Sequence, residues 1–190
     1  WSLYQQQFTV LTIYSDEQLD RSIFGWEMPI SWVQSINPVF IIVLSGVFAA
    51  IWTKLGTKAP PAPAKFGLGT IVMGAAFLLF IPWAGSGKGG TPLLAMILIL
   101  FVFTIAELFI SPPGLSVTTK LAPEKFRTQM VALYFLSVSL GTSIAGWLAQ
   151  YYDPKEEVPY FMILGAIAVG IGVVLLLAVK PVLALMRGVR

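Results

Sequence analysis

Glu107 and Ser111 stand four residues apart in LLAMILILFVFTIAELFISPPG (93–114), a run in which no other side chain ionises. Four residues is close to one helical turn, so the carboxylate and the hydroxyl share a face. Pro112, Pro113 and Gly114 follow directly. A carboxylate in an apolar run can take up and release a proton, or hold a cation such as an ammonium group. Prolines remove backbone donors and crowd the preceding turn, which kinks or opens a helix. In lipid this is tolerated where neighbours or water satisfy the freed carbonyls. A plainer reading stays open, in which Glu107 is inert, hydrogen-bonded by a neighbouring helix or kept neutral.

Further polar groups lie in other apolar segments. Trp1, Tyr4, Gln5, Gln6, Gln7, Thr9 and Thr12 crowd the first segment, and Gln34 and Asn37 precede Pro38 in the second. Lipid does not accept amides and hydroxyls on every side of a helix, so the first segment must line water or protein. Hydrogen bonding between helices is the alternative for each single Gln. The chain has no His and no Cys. That removes imidazole bases, Ser-His-Asp triads, disulfides and thiolate metal sites, and leaves proton chemistry to carboxylates. No enzyme activity, metal or cofactor is expected, and no nucleic-acid partner.

The elements that carry these groups are membrane spans. Of 190 residues, 57% are hydrophobic and 11% charged, with a mean hydropathy of +0.82. Soluble domains carry about 25% charged residues, so lipid is the expected solvent. A spanning helix takes about 20 apolar residues. The expected fold class is an all-α, polytopic membrane bundle with spans near 1–14, 30–53, 66–84, 92–117, 125–152 and 158–179, treated as one domain over 1–190. The first of these reads as a truncated helix, since Trp1 is neither an initiator Met nor part of a basic leader. APPAPA (59–64) reads as an extended Pro-rich connector. In this layout Glu107 lies about 22 Å from the start of its helix, near the middle of a hydrocarbon core about 30 Å thick. The other acids fall in loops or at helix ends.

Loop charge orients the bundle. Lys54, Lys58, Lys65, Lys120, Lys125, Arg127, Lys180, Arg187 and Arg190 fall on one side, and Arg21, Lys88 and Lys155 on the other. The positive-inside rule makes the first side, with the C-terminus, cytoplasmic. Trp26, Trp32, Trp83, Tyr151, Tyr152 and Tyr160 fall at outer span edges and Trp52 at an inner one, as expected of a headgroup belt. Gly165, Gly170 and Gly172 are expected to permit close helix packing. Polarity along the six spans runs rich, intermediate, bland, then repeats. Inverted three-helix repeats in one half of a twelve-helix transporter have that distribution.

The strings WSLYQQ, WVQSINPVFIIVLSGVFAAIWTKLG, AELFISPPGLSVTTKLAPEKFRTQMVALYFLS and GTSIAGWLA resemble the C-terminal six-helix half of the proton-dependent oligopeptide transporter family of the major facilitator superfamily. The resemblance covers essentially the whole chain. It implies import of di- or tripeptides driven by a proton gradient, in a plasma membrane, together with an N-terminal six-helix half. By the same resemblance, Glu107 matches a glutamate that receives the peptide amino terminus and takes part in proton coupling. Asn37 matches an asparagine at the peptide backbone or amino terminus, Ser111 a serine beside the same pocket, and Trp1 and Tyr4 aromatics of the cavity wall. Gln34 and Tyr134 are added to the substrate-binding set, and Gln5 and Gln6 to a possible gate. Gln5 stands where many members have an acid that joins an outer salt bridge, and Tyr134 where they often have Trp. Two other functions remain: transport of another small zwitterion or anion such as an amino acid or nitrate, and a non-transporting membrane subunit.

Overall fold

The computed structural model describes residues 1–23 and 25–186. Seven α-helices carry the fold: α1 (Val10–Glu17), α2 (Ile30–Leu55), α3 (Ala62–Leu78), α4 (Leu93–Leu121), α5 (Arg127–Ala149), α6 (Glu157–Leu177) and α7 (Val179–Leu185). Arg187 and Arg190, counted above toward the basic side, lie outside the described residues.

Proline sets the start of several helices. Pro29, Pro61 and Pro92 immediately precede α2, α3 and α4, with φ between −65° and −59° and ψ between 141° and 160°. A residue with a fixed φ and no N–H to satisfy suits that place. The expected connector APPAPA is consequently shorter than foreseen. Ala62, Pro63 and Ala64 already form the first turn of α3, where Pro costs no intrahelical hydrogen bond.

The expected single helix over 1–14 is broken. A 3-10 turn (Tyr4–Phe8) leads into α1, and Thr9 between them has φ −117° and ψ −92°. Thr9 Oγ1 donates to the side-chain oxygen of Gln6 at 3.1 Å, a local side-chain bond of the kind that competes with helix geometry. Helix α4, in contrast, runs through Pro112 and Pro113 without interruption. The expected opening there takes the milder form of two carbonyls, those of Leu108 and Phe109, deprived of their helical donors.

Two-residue strands, not foreseen, tie the outer connections together. Leu19–Asp20 pairs in parallel with Thr91–Pro92, and Ser22–Ile23 pairs antiparallel with Trp26–Glu27. Arg21 bridges Glu27 at 2.9 Å and Asp16 at 3.4 Å. The N–H and hydroxyl of Ser22 donate to Asp20 and hold its exposed carboxyl below the usual range.

The core lies where α1, α3, α4 and α6 meet. Tyr14, Phe77, Phe80, Phe103 and Phe161 are fully buried, and the Phe80 and Phe161 rings stack at 4.4 Å. Helices α3 and α6 touch backbone to backbone. A Cβ on Gly74 would lie 2.7 Å from the Gly165 carbonyl, and one on Gly172 2.8 Å from the Gly67 carbonyl. Gly170 faces open space instead, so it does not share the packing role expected of all three glycines.

Among the described residues four helical segments are long and apolar enough to cross a membrane: Ile30–Lys58, Leu93–Leu121, Glu124–Ala149 and Glu157–Leu177. Helix α3 is apolar but has 17 residues. The apolar outer surface, with Ile42 at 76% and Leu177 at 77% exposure, suits a bundle surrounded by lipid or by further membrane protein. The aromatic belt is only partly as expected. Trp26, Trp32 and Tyr151 are exposed, but Tyr152 and Tyr160 are buried among the helices.

Candidate substrate and proton site

The buried amide of Asn37 organises the polar centre of the bundle. Thr104 Oγ1 donates to the Leu100 carbonyl at 2.8 Å, so toward Asn37 it can only accept. Asn37 Nδ2 supplies that bond at 3.0 Å and also reaches Glu107 Oε2 at 3.5 Å. Both interactions use the amide nitrogen, which leaves Asn37 Oδ1 as an acceptor for another group. Thr104 was not singled out from the sequence, although it precedes Glu107 by three positions on the same helical face.

Glu107 is half-buried. Trp1, Tyr4, Met73, Ile110 and Ser111 line with it a cavity of about 20 Å³, room for about one water molecule. A wider recess of about 260 Å³ adjoins it, with Trp1, Gly114, Thr118 and Tyr134 among its walls. The Trp1 ring meets those of Tyr4 and Tyr134 edge to face, each at 5.9 Å. The Tyr134 hydroxyl donates to the Ser111 carbonyl at 3.2 Å. Gly114 permits this approach, since a Cβ there would lie 3.0 Å from the Tyr134 ring.

Six of the residues singled out from the sequence, Glu107, Asn37, Ser111, Trp1, Tyr4 and Tyr134, therefore meet at one place. Gln34 does not join them. Its side chain is exposed and donates to Thr12 Oγ1 at 2.7 Å, linking α2 to α1. Gln6 is fully buried. It accepts from the Tyr160 hydroxyl at 2.9 Å and donates to the Ala145 carbonyl at 3.3 Å, so its amide joins the 3-10 turn to α5 and α6. Gln5 is half-buried and has no side-chain hydrogen bond among the described residues.

A fully buried carboxylate, Glu157, lies among the acids that the sequence places only in loops or at helix ends. It is 1% exposed and accepts from the Tyr152 hydroxyl at 2.8 Å and the Gly85 N–H at 2.9 Å. Its one sequence signal is an acid at a helix N-terminus, which the helix dipole favours. Glu157→Ala leaves both donors without their acceptor. A loss of about 2–4 kcal/mol is expected, read as a lowered thermal midpoint of the full-length protein in detergent. An unchanged midpoint would show that this clasp contributes nothing.

A family model described as PTR2, POT family, matches residues 1–169. The chain belongs to the POT family. It is 37% identical over 196 residues to a di-/tripeptide transporter of Lactococcus lactis subsp. cremoris, a match covering 100% of this chain and 39% of that protein. It is 33% identical over 199 residues to the peptide transporter YePEPT of Yersinia enterocolitica, again over 100% of this chain and 39% of the relative. Among solved structures, a mutant POT peptide transporter in complex with alafosfalin superposes with a TM-score of 0.91 at 38% identity, over 99% of this chain and 39% of that one. A POT family transporter in complex with 5-aminolevulinic acid gives 0.85 at 32% identity, over 95% and 38%. The fold is thus the all-α membrane bundle of POT transporters, a family of carriers rather than enzymes. The chain spans about 39% of the length of the relatives it matches.

Proposed function

We propose that this chain is the C-terminal bundle of a proton-coupled di- or tripeptide symporter that works by alternating access. In this reading it pairs with an N-terminal six-helix half in the plasma membrane, with its own C-terminus cytoplasmic. The observation that carries the reading is the Thr104–Asn37–Glu107 chain, a carboxylate held beside a free amide oxygen at the polar centre of an apolar bundle. Trp1, Tyr4, Ser111 and Tyr134 are assigned to the wall of the same site.

The coupling follows from charge. A proton and a peptide ammonium competing for one free carboxylate would exchange, which is antiport. Symport requires that proton binding favour peptide binding. Ionised Glu107 is therefore assigned to an ion pair with a basic side chain of the other half in the empty carrier. Protonation discharges it and breaks that pair. The two halves are then free to rearrange, and the peptide amine finds acceptors in Asn37 Oδ1 and the neutral carboxyl group. Loss of the proton to the other side restores the pair.

Competition in proteoliposomes containing the full-length transporter tests the substrate class. Unlabelled di- and tripeptides are expected to suppress uptake of a labelled dipeptide, and amino acids and nitrate to leave it unchanged. Suppression by nitrate or single amino acids, and not by peptides, would transfer the assignment to another small solute. No uptake of any of these solutes would favour a non-transporting subunit.

A further inference from the structure

A groove of about 700 Å³ opens between the C-terminal end of α2, the start of α3 and the second half of α4. Its rim at Lys120 lies about 20 Å along α4 from Glu107; its inner wall reaches Leu108 and Pro112, and it shares no lining residue with the Glu107 cavity. Its walls are mostly apolar, with Phe48, Trp52, Leu108 and Pro112 among them, and its charged members are Lys65 and Lys120.

These lysines lack a compensating charge. Among the described residues neither has a carboxylate within salt-bridge distance, and both line the same groove. Lys65 is the fourth residue of α3, near the helix end where a cation is disfavoured, so the helix dipole does not account for it. Its ammonium lies 4.2 Å from the centre of the Trp52 ring, which holds the charge at the mouth of an apolar slot.

Depth supplies the remaining constraint. The 29 residues of α4 reach about 43 Å, beyond the roughly 30 Å of hydrocarbon. Lys120, next to its last residue, therefore stands at headgroup level, and Pro112 lies about 12 Å further along the axis, within the acyl region. The groove presents positive charge where a lipid carries its phosphate and apolar walls where it carries its chains.

We propose that this groove binds an anionic phospholipid, its phosphate between Lys65 and Lys120 and an acyl chain along Trp52, Phe48 and Pro112. The assignment rests on the two lysines, the apolar walls and their depth in the membrane, and is independent of the transported solute.

The test uses the delipidated full-length transporter, titrated with phosphatidylglycerol and with phosphatidylcholine of the same chain length, bound lipid being counted by native mass spectrometry. Phosphatidylglycerol is expected to bind wild type at least tenfold more tightly. Lys65→Gln with Lys120→Gln is expected to weaken it about thirty-fold and leave phosphatidylcholine unchanged, and Lys65→Arg with Lys120→Arg to retain it. Equal affinity for the two lipids in wild type would overturn the proposal, and that comparison needs no variant. So would an unaltered phosphatidylglycerol affinity in the Gln pair, or displacement of the lipid by inorganic phosphate at equal concentration.

Discussion

Glu107→Gln in the full-length transporter is expected to abolish accumulation of a labelled dipeptide driven by an inward proton gradient, reducing it at least tenfold to the equilibrium level. Exchange of labelled for unlabelled dipeptide across the same membrane should persist. Gln keeps the size of the side chain and its hydrogen bonding, so the contact from Asn37 Nδ2 at 3.5 Å can pass to the amide oxygen. It removes the ability to change charge. A neutral residue stands in for the protonated state, and the ion pair assigned to the empty carrier cannot re-form. The two halves then cycle with peptide bound but have no proton to follow. Gradient-driven accumulation at the wild-type level would remove Glu107 from the coupling step. Loss of exchange as well would assign it to binding alone.

Gly74→Val is expected to have the largest effect on the fold. A Cβ at that position meets the Gly165 carbonyl and Val169 Cγ2, each at 2.7 Å, and the Val169 nitrogen at 2.9 Å. Two of these three atoms are backbone, so no rotamer relieves the overlap and α3 must move away from α6. Overpacking a close-packed site costs about 1–3 kcal/mol and sometimes more. Valine adds two methyl groups beyond the overlapping Cβ, which places it at or above the upper figure. Gly170→Val serves as the control within α6, because nothing lies within 4 Å of a Cβ there. Size-exclusion profiles and thermal midpoints in detergent should separate the two, with Gly74→Val aggregated or strongly destabilised and Gly170→Val close to wild type. Equal behaviour would contradict the backbone contact between α3 and α6.

The bundle was legible because lipid imposes a coarse rule, that long apolar runs become helices. Starts near Ile30, Pro92 and Val158 correspond to helices beginning at Ile30, Leu93 and Glu157. The third span, expected over 66–84, runs instead over Ala62–Leu78 because Pro61 and Pro63 start it early, and the other misjudged elements are decided by side-chain hydrogen bonds. Gln6 and Thr9 convert the first segment into a turn and a short helix, and nothing in hydropathy reports a bond between Gln6 and Tyr160, 154 residues away. The burial of Glu157 was missed for the same reason, since its partners Tyr152 and Gly85 come from two different connections.

At the candidate site, chemistry was easier to read than company. Glu107 is conspicuous as an acid in an apolar run, and Asn37 by its place before Pro38. Thr104, which fixes the amide orientation of Asn37, is an ordinary threonine until α2 and α4 are packed together. Gln34 shows the converse, a polar residue one turn from Asn37 that points to Thr12.

In the proposed cycle the charge state of Glu107 controls access of the peptide to the site. The deciding measurement is the affinity of the purified full-length transporter for a dipeptide as a function of pH, in wild type and in Glu107→Gln. If protonation of Glu107 breaks the ion pair that competes with the peptide, wild-type affinity rises as pH falls through the titration of that carboxyl group, and the Gln variant shows a flat profile. A Gln variant that keeps the wild-type pH dependence, or a wild-type affinity that does not change with pH, would show that protonation of Glu107 does not gate the peptide.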